Sequence, residues 1–250
     1  MSDHQPSGAA RQRPHESARI ERVFDHCADT RSLFLRIAGD RPLRFLPGMF
    51  ISITIPLKQG ARVRPYTIAS SPEDGAKDGE PFEICFNRVA DGVGVAWLFD
   101  RWVGDTLDFT GPFGTFTLDR PPSSEQVFIC EGTAVAPVRP MVHRALAHRP
   151  ARPLYLIYGA DRPEHILYRA ELERLAAFHP EFHFEPPIIE PSRDALHAKL
   201  RSEAQRRWVS ADNERNRHFY ICGIGREVLK LRDLLRASGY ERRAVHYEQW

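Results

Sequence analysis

The chain has 250 residues, of which 42% are hydrophobic and 27% are charged, with 35 Lys and Arg against 33 Asp and Glu. This composition is typical of a globular protein with a buried core, and the near-balanced charge gives no support for a nucleic-acid-binding protein. The longest apolar stretches have the length of strands, far below the ~20 residues that a membrane-spanning helix requires. We therefore expect no membrane span.

The four cysteines, Cys27, Cys85, Cys130 and Cys222, are scattered and form no C-x-x-C pair. This pattern predicts reduced thiols in a cytoplasmic protein rather than a disulfide framework or an iron–sulfur domain. The eleven histidines have no convincing metal-ligand spacing, so we expect no metal site. Residues 1–17 lack an apolar core and are predicted to be a disordered tail rather than a secretory signal.

Residues 18–120 are predicted to form an antiparallel β-barrel. Six short runs rich in β-branched or aromatic residues are separated by turn residues, and one helical stretch lies around Val95–Trp102. The predicted strands are Ile20–Phe24, Leu33–Ile37, Met49–Ile55, Tyr66–Ala69, Phe82–Arg88 and Thr106–Phe109.

The segment Pro121-Pro122-Ser123-Ser124 breaks this pattern and is the predicted domain boundary. From 125 to 250, strands alternate with helices through short connectors, which indicates a doubly wound parallel sheet. The predicted strands are Gln126–Cys130, Leu154–Tyr158, Phe182–Ile189, Phe219–Cys222 and Ala244–Tyr247. The predicted helices are Ala136–Ala147, Ile166–His179, Ala195–Trp208 and Arg226–Ala237.

The turn after the strand Gln126–Cys130 is a candidate dinucleotide-binding turn. Gly132 and Ala134 are small enough for backbone N–H groups to approach a phosphate, and Pro137 suits the first turn of the following helix. Taken alone, such a turn is as compatible with an ordinary strand–helix connection as with a nucleotide site. Its place at the first strand of a doubly wound sheet favours the nucleotide site.

Several motifs, in order along the chain, resemble those of the ferredoxin–NADP reductase family. Arg64-Pro65-Tyr66-Thr67 is similar to the family's flavin motif, and Gly92-Val93-Gly94-Val95-Ala96 stands where the family places a second loop on the FAD pyrophosphate. Gly132–Arg139 resembles its nucleotide turn, and Tyr220-Ile221-Cys222-Gly223 and Tyr247-Glu248-Gln249-Trp250 resemble its last segments. The resemblance implies a FAD-binding barrel, residues 18–120, followed by an NAD(P)-binding domain, residues 125–250.

The resemblance also implies roles for individual residues. Tyr66 would pack on the isoalloxazine ring, Thr67 would hydrogen-bond near flavin N5, and Arg64 would pair with the pyrophosphate. The other expected FAD contacts are Pro65, Cys85, Asn87, Arg88, Gly92, Gly94, Val95 and Ala96. The expected nucleotide contacts are Gly132, Thr133, Ala134, Pro137, Arg162, Ser192, Arg193, Cys222 and Gly223. The expected catalytic residues are Thr67, Cys222, Glu248 and Trp250, with Trp250 yielding its place to the nicotinamide.

Two departures and one ambiguity accompany this resemblance. Val95 stands where the family commonly has Ser, and Ala134 replaces the second glycine of the nucleotide turn. The choice between NADPH and NADH is open, because Ser192 and Arg193 suit a 2′-phosphate whereas Glu190 could repel it or accept from a ribose hydroxyl. We expect a slight preference for NADPH.

The implied function is that of an enzyme that takes a hydride from NAD(P)H onto FAD and passes electrons to a separate ferredoxin, flavodoxin or oxygenase component. The alternative is a non-enzymatic, FAD-containing electron-transfer or regulatory subunit of a larger complex. Five arginines, Arg201, Arg206, Arg207, Arg215 and Arg217, form a basic stretch. We interpret this stretch first as a solvated helix face and second as a docking patch for an acidic acceptor.

Overall fold

The computed structural model describes residues 15–39, 42–58, 60–72, 80–89, 92–121, 123–211 and 213–250. Most of the predicted tail, residues 1–14, lies outside this part of the chain, as does Pro122 of the predicted boundary. Glu16 and Ser17, which the sequence assigned to the tail, already belong to the first strand. Among the described residues, no helix combines the length and the apolar character needed to cross a membrane.

The first domain is an antiparallel six-stranded barrel, as predicted. Its strands are β1 (Glu16–Cys27), β2 (Thr30–Ile37), β3 (Phe50–Leu57), β4 (Gly60–Thr67), β5 (Phe82–Asn87) and β6 (Thr106–Phe113), with helix α1 (Val93–Phe99) between β5 and β6. The strand order is β4-β3-β6-β1-β2-β5, and a bridge between Ile68 and Ile84 joins the two outer strands. Alternate residues of β3, Ile51, Ile53 and Ile55, are fully buried, which places the core inside the barrel.

The bounds of the barrel elements differ from the prediction, and the largest difference is that of β4. Strand β4 begins at Gly60, six residues before the predicted Tyr66, and its first six residues are exposed. These exposed residues do not show the alternation of apolar and polar residues that predicts a strand. Only their pairing with β3 identifies them as part of β4. Helix α1 covers Val93–Phe99 instead of Val95–Trp102.

The second domain is a doubly wound parallel sheet, which confirms the predicted fold class. Its elements are β7 (Glu125–Glu131), α2 (Val135–Ala147), β8 (Leu154–Ala160), α3 (Arg169–Phe178), β9 (Phe182–Phe184), β10 (Ile188–Ile189), α4 (Arg193–Gln205), β11 (Arg217–Gly223), α5 (Glu227–Ala237) and β12 (Val245–Gln249). The strand order is β10-β8-β7-β11-β12, and β9 also pairs with β8. The order reverses between β7 and β11, where open α/β sheets form their ligand crevice.

Three predicted elements of this domain differ from the structure by more than two residues or are divided, whereas the others differ by one or two residues. The strand Phe182–Ile189 is two short strands, β9 and β10, because Pro186 and Pro187 between them supply no N–H groups for a ladder. The helix predicted from Ile166 begins at Arg169, since Tyr168 before it has a left-handed φ of 56°. The helix predicted to end at Trp208 ends at Gln205 and continues as a π-helical turn.

One apolar core extends from the barrel into the second domain. Phe116 and Leu118, which follow β6, pack in the same cluster as Phe128 of β7 and Tyr220 of β11. The Phe116 and Tyr220 rings lie 6.3 Å apart in an edge-on arrangement. The two domains therefore share buried surface instead of meeting through a solvated linker alone.

The guanidinium of Arg139, on α2, joins the two domains by polar contacts. Its Nη1 donates to the carbonyl of Ala69 at 2.7 Å and lies 3.3 Å from Glu83 Oε2, both in the barrel. Its Nε donates to Glu171 of α3 at 2.7 Å. Burial alone would raise the pKa of Glu171, but hydrogen bonds from His143 and Arg139 lower it to about 2. Glu171 is therefore a carboxylate at neutral pH, and Arg139 contacts both this half-buried acid and the buried Glu83.

We expect Arg139→Ala to lower the free energy of unfolding by about 3–5 kcal/mol, because it removes the cation from the buried Glu83 and from the half-buried Glu171. The measurement is urea unfolding followed by circular dichroism. Arg169→Ala is the matched control, since Arg169 also forms an ion pair, with Glu173, but both side chains are about half exposed. The control should cost about 0.5 kcal/mol or less. Equal losses in the two variants would contradict the role of Arg139.

Candidate functional site

A cleft of ≈620 Å³, here named the barrel cleft, lies between β4, the start of α1 and the end of β12. It is lined by most residues of the predicted flavin site. These are Arg64, Pro65, Tyr66, Thr67, Cys85, Asn87, Gly92, Gly94 and Val95 from the first domain, with Thr133, Glu248 and Trp250 from the second. Val93 and Gln249, which belong to the quoted motifs, also line the cleft, as do Phe50, Arg62, Phe86 and Val89, which the sequence did not single out.

The side chains of the barrel cleft suit a flat ring joined to a diphosphate. Tyr66 packs edge-on against Phe86 with 5.8 Å between ring centroids, and burial raises the pKa of Tyr66 to about 12, so the phenol stays protonated. Arg62 and Arg64 form no ion pair with a carboxylate among the described residues. Unpaired guanidinium groups in a cleft are suited to bind phosphate oxygens.

The backbone at the start of α1 also faces the barrel cleft. A side chain at position 94 would crowd the barrel core, because a Cβ atom there would lie 2.7 Å from Ile55 Cδ1 and this methyl group would have to shift. The N–H of Ala96 already donates to the carbonyl of Gly92 at 2.9 Å, and Ala96 does not line the cleft. The amides before this first intrahelical bond, those of Val93, Gly94 and Val95, are the ones that a ligand can reach. Ala96 therefore does not have the accessible amide that the sequence led us to expect.

A second cleft of ≈370 Å³, here named the sheet-edge cleft, lies at the carboxyl ends of β7 and β8. The predicted residues Asn87, Arg88, Gly132, Thr133, Arg162 and Arg193 line it. Gly132 has a φ of +50°, which lets the chain turn sharply between β7 and α2. Residues that the sequence did not single out also line this cleft, namely Asp29, Thr30, Glu131, Asp161, His165 and Ile224.

The two clefts meet at Asn87 and Thr133, which line both. The Thr133 hydroxyl donates to Asn87 Oδ1 at 3.4 Å, across the boundary between the domains. Arg88, expected on the FAD side, lines only the sheet-edge cleft and stacks its guanidinium on the Phe99 ring at 3.9 Å. Ligands in the two clefts would therefore be neighbours at this junction.

Several predicted nucleotide contacts line neither cleft. Ala134 is buried beneath the turn, and Pro137 lies inside the first turn of α2. Ser192 caps α4, because its hydroxyl accepts from the N–H of Ala195 at 3.5 Å. The side chains of Ala134 and Pro137 serve packing in this structure, and that of Ser192 serves capping.

Cys222 and Gly223 end β11 as predicted, yet neither lines the two clefts. Cys222 is 2% exposed, and burial raises its pKa well above the usual thiol range. A buried, protonated thiol is a weak donor and not a nucleophile. The same holds for Cys85, whose pKa burial raises to about 12.

Glu248 and Trp250 enter the barrel cleft from β12 and the residue that follows it. Burial raises the pKa of Glu248, although a hydrogen bond from Trp250 opposes this shift. The indole Nε1 of Trp250 donates to Glu248 Oε2 at 3.2 Å, and the side chain is 43% exposed. Among the described residues, the indole therefore has one hydrogen bond, to Glu248.

A cluster of Cys27, Asp29 and His165 presents potential metal-ligating atoms within 4.8 Å of one another. Arg162 already places a cation there, since its Nη2 lies 2.6 Å from Asp29 Oδ2 and 2.8 Å from His165 Nε2. Spacing could not reveal this cluster, because Asp29 and His165 are 136 residues apart. It is a polar contact between the barrel and the sheet-edge cleft.

The charges in this cluster shift the pKa values of its members. Burial would raise the pKa of Asp29, but hydrogen bonds from Cys27, His165 and Arg162 lower it overall. Burial would lower the pKa of His165, but Asp161 and Asp29 raise it above the ordinary value of 6.5. His165 is therefore protonated more readily in the folded chain than in the unfolded chain.

Comparison with known proteins agrees with this geometry. Residues 17–118 match the model of the oxidoreductase FAD-binding domain, and residues 128–230 match that of the oxidoreductase NAD-binding domain. Ferredoxin–NADP reductase B of Sorangium cellulosum is 32% identical over 240 residues, which cover 93% of this chain and 96% of that protein. The chain belongs to the ferredoxin–NADP reductase family. It is an NAD(P)H-dependent flavoprotein reductase, which confirms the predicted enzyme class and the cofactors FAD and a nicotinamide nucleotide.

Other relatives are electron-transfer or reductase components of larger enzyme systems. The electron transfer component of toluate 1,2-dioxygenase from Pseudomonas putida is 25% identical, covering 93% of this chain and 67% of that protein. The reductase subunit of an aromatic O-demethylase from an Amycolatopsis species is 31% identical, covering 75% of this chain and 55% of that subunit. The fold matches that of a Neisseria gonorrhoeae ferredoxin–NADP⁺ reductase with bound FAD and NADP, with a TM-score of 0.75, 20% identity, and coverage of 94% of this chain and 98% of that one.

We expect Asp29→Asn to destabilise the chain more at pH 6 than at pH 9, by less than about 1 kcal/mol because the pair is partly exposed. The raised pKa of His165 gives stability that is present below about 6.5 and is lost as pH rises through its folded value. The lowered pKa of Asp29 contributes the same amount of stability at pH 6 and at pH 9, because this contribution is lost only at acidic pH.

Urea unfolding of both proteins at the two pH values measures this difference. Asp233→Asn is the control, because Asp233 forms its ion pair with Arg232 and not with a histidine. Its effect should be the same at both pH values. An Asp29→Asn effect that does not change with pH would contradict the coupling to His165.

Proposed function

We propose that the chain takes a hydride from NADPH, or less readily from NADH, onto FAD in the barrel cleft and delivers the electrons to a separate ferredoxin, flavodoxin or oxygenase component. The observation that carries this proposal is the junction of the two clefts at Asn87 and Thr133. A nicotinamide ring that extends from the sheet-edge cleft past this junction reaches the barrel cleft. Alignment of two reactants in this way supplies much of the catalysis in reactions of this type.

The residues of the barrel cleft divide into those that bind and those that orient. When bound, FAD supplies the ring that accepts the hydride and then releases the electrons. Arg62 and Arg64 hold the diphosphate, and Tyr66 provides an aromatic face against the ring. Thr67, which is almost fully buried, presents a hydroxyl at the floor of the cleft. Trp250 shields the face that the nicotinamide must reach, and we propose that its indole moves aside.

The preference for NADPH is supported by the charges at the start of α4. Arg193 lines the sheet-edge cleft and forms no ion pair among the described residues, so its guanidinium is available to a 2′-phosphate. Glu190, the acid that could repel this phosphate, lies 3.9 Å from Lys199 Nζ and does not line the cleft. Arg162 is less available, because it contacts Asp29 and His165.

The arginines of the basic stretch, which was interpreted second as a docking patch, form their contacts with other residues of this chain. Four of its five arginines pair with acids and one binds a carbonyl oxygen. The pairs are Arg201 with Glu227, Arg206 with Glu203, Arg207 with Glu185 and Glu203, Arg217 with Glu125, and Arg215 with the carbonyl of Ser238. Arg217 is buried in β11, so the stretch is not the single solvated helix face that the sequence predicts. Because all five arginines have partners within the fold, we propose that the acceptor receives electrons at the barrel cleft. Membership of an enzyme family removes the support for a non-enzymatic subunit.

Anaerobic titration of the FAD-loaded protein tests the function. We expect the flavin absorbance near 450 nm to bleach within seconds on addition of NADPH, and more slowly with NADH. A protein that retains FAD but is reduced by neither nucleotide would contradict the proposed hydride transfer. A reduced protein that no ferredoxin, flavodoxin or oxygenase component reoxidises would instead contradict the proposed acceptor class.

We expect Arg193→Ala to raise the KM for NADPH about 10-fold or more while leaving the KM for NADH nearly unchanged. The reason is the loss of a charge-assisted hydrogen bond to the 2′-phosphate, which is absent from NADH. Steady-state reduction of ferricyanide by each nucleotide measures both values. Arg174→Ala, an exposed substitution on α3, is the control and should change neither. Equal changes for both nucleotides in Arg193→Ala would contradict the preference.

A further inference from the structure

Glu131, the last residue of β7, has a buried carboxylate at the point where the sheet order reverses. Its Oε2 lies 2.8 Å from Nε2 of His197 on α4, and both residues are about 8% exposed. A carboxylate at such a position needs a partner, because an unpaired buried charge is strongly unfavourable. His197 supplies that partner and fixes the orientation of the carboxylate.

The second oxygen of Glu131 contacts the loop after β11. Oε1 accepts a hydrogen bond from the N–H of Ile224 at 2.8 Å. Gly223 permits this approach, because a Cβ atom there would lie only 3.0 Å from Oε1. Glu131 therefore links the turn at Gly132 to the loop Gly223–Gly225, and these are the two backbone segments on either side of the crevice.

The same loop holds the backbone of Trp250. The N–H of Trp250 donates to the carbonyl of Gly223 at 3.0 Å, and the N–H of Gly225 donates to the carbonyl of Trp250 at 3.2 Å. The Trp250 indole lines the barrel cleft. A continuous set of contacts thus leads from the nucleotide turn, through Glu131 and the loop, to the residue that covers the proposed flavin face.

We infer that Glu131, held by His197, is a positioning residue that sets the loop Gly223–Gly225 and Trp250 relative to the nucleotide turn, and thereby the alignment of the nicotinamide with the flavin. This inference rests on the proposed function. Glu131 acts through the loop and touches neither reacting ring. The step that depends on it is hydride transfer, whereas nucleotide binding depends mainly on phosphate contacts elsewhere in the sheet-edge cleft.

Three variants of the FAD-loaded protein test this role. Glu131→Ala removes both contacts. Glu131→Gln keeps them, because its amide can accept from Ile224 and donate to a neutral His197. Glu227→Ala is the matched control, since Glu227 stands at the start of α5 beyond the same loop but pairs with Arg201 and Lys230.

Stopped-flow reduction and hydrogen exchange are the two measurements. We expect the limiting rate of flavin reduction to fall about 10-fold or more in Glu131→Ala, because small misplacements of reacting groups are costly. The dissociation constant of NADP⁺ should change by less than about threefold, and Glu131→Gln should recover most of the rate. Amide exchange of residues 223–225 and of Trp250 should accelerate about 10-fold in Glu131→Ala alone.

A wild-type reduction rate in Glu131→Ala, or unchanged amide exchange in the loop and at Trp250, overturns the inference. A loss of NADP⁺ affinity as large as the loss of rate also overturns it, because Glu131 would then belong to the binding site. If the wild-type protein is not reduced by either nucleotide, the proposed function fails by itself. The exchange measurement still decides whether Glu131 positions the loop, since it requires no turnover.

Discussion

The arrangement of the two clefts depends on the guanidinium of Arg139. Apolar burial is nearly non-directional, so the shared core brings the barrel and the sheet together but does not by itself select one orientation. Arg139 adds directional bonds to the carbonyl of Ala69, to Glu83 and to Glu171. Glu83 in turn accepts from the hydroxyls of Ser32 and Tyr168. These polar groups are hydrogen-bonded to one another. Few other orientations of the two domains would give each of them a partner. The observed orientation does so, and it brings Asn87 and Thr133 together where the two clefts meet.

The sequence predicts the fold class well because each domain has its own repeating pattern. Short β-branched runs separated by turn residues indicated the barrel, and alternating strand and helix segments indicated the parallel sheet. The details that it did not predict depend on partners elsewhere in the chain. Strand β4 is exposed at Gly60–Pro65 and exists because β3 supplies a ladder, so its residues carry no apolar period. The left-handed Tyr168 likewise has no local signature, and its hydroxyl contact with Glu83 is 85 residues away in sequence.

The same distinction holds for the site. The motif Arg64–Thr67 is a contiguous stretch, and all four of its residues line the barrel cleft. Glu131, by contrast, looks in the sequence like an ordinary turn residue after the predicted strand, and only the structure places it beside His197 and Ile224. Asp29 and His165 were missed for the same reason. For Ala96 and Cys222, the motif predicts the position of the residue but not the state of its functional group. The amide of Ala96 is already hydrogen-bonded within the helix, and the thiol of Cys222 is buried.

The shared apolar core has a consequence for engineering nucleotide preference by exchanging whole domains with a relative. The boundary in sequence, near Pro121–Ser124, is not the boundary in packing, because Phe116 and Leu118 before it are buried with Phe128 and Tyr220 after it. In a chimera joined near Pro121–Ser124, Phe116 and Leu118 of one protein would pack against the second domain of another. Their side chains would not fit that domain, and voids or overlaps would result at the interface. A successful graft would have to carry Phe116 and Leu118 along with the second domain, so the junction is better placed before Phe116, at the end of β6.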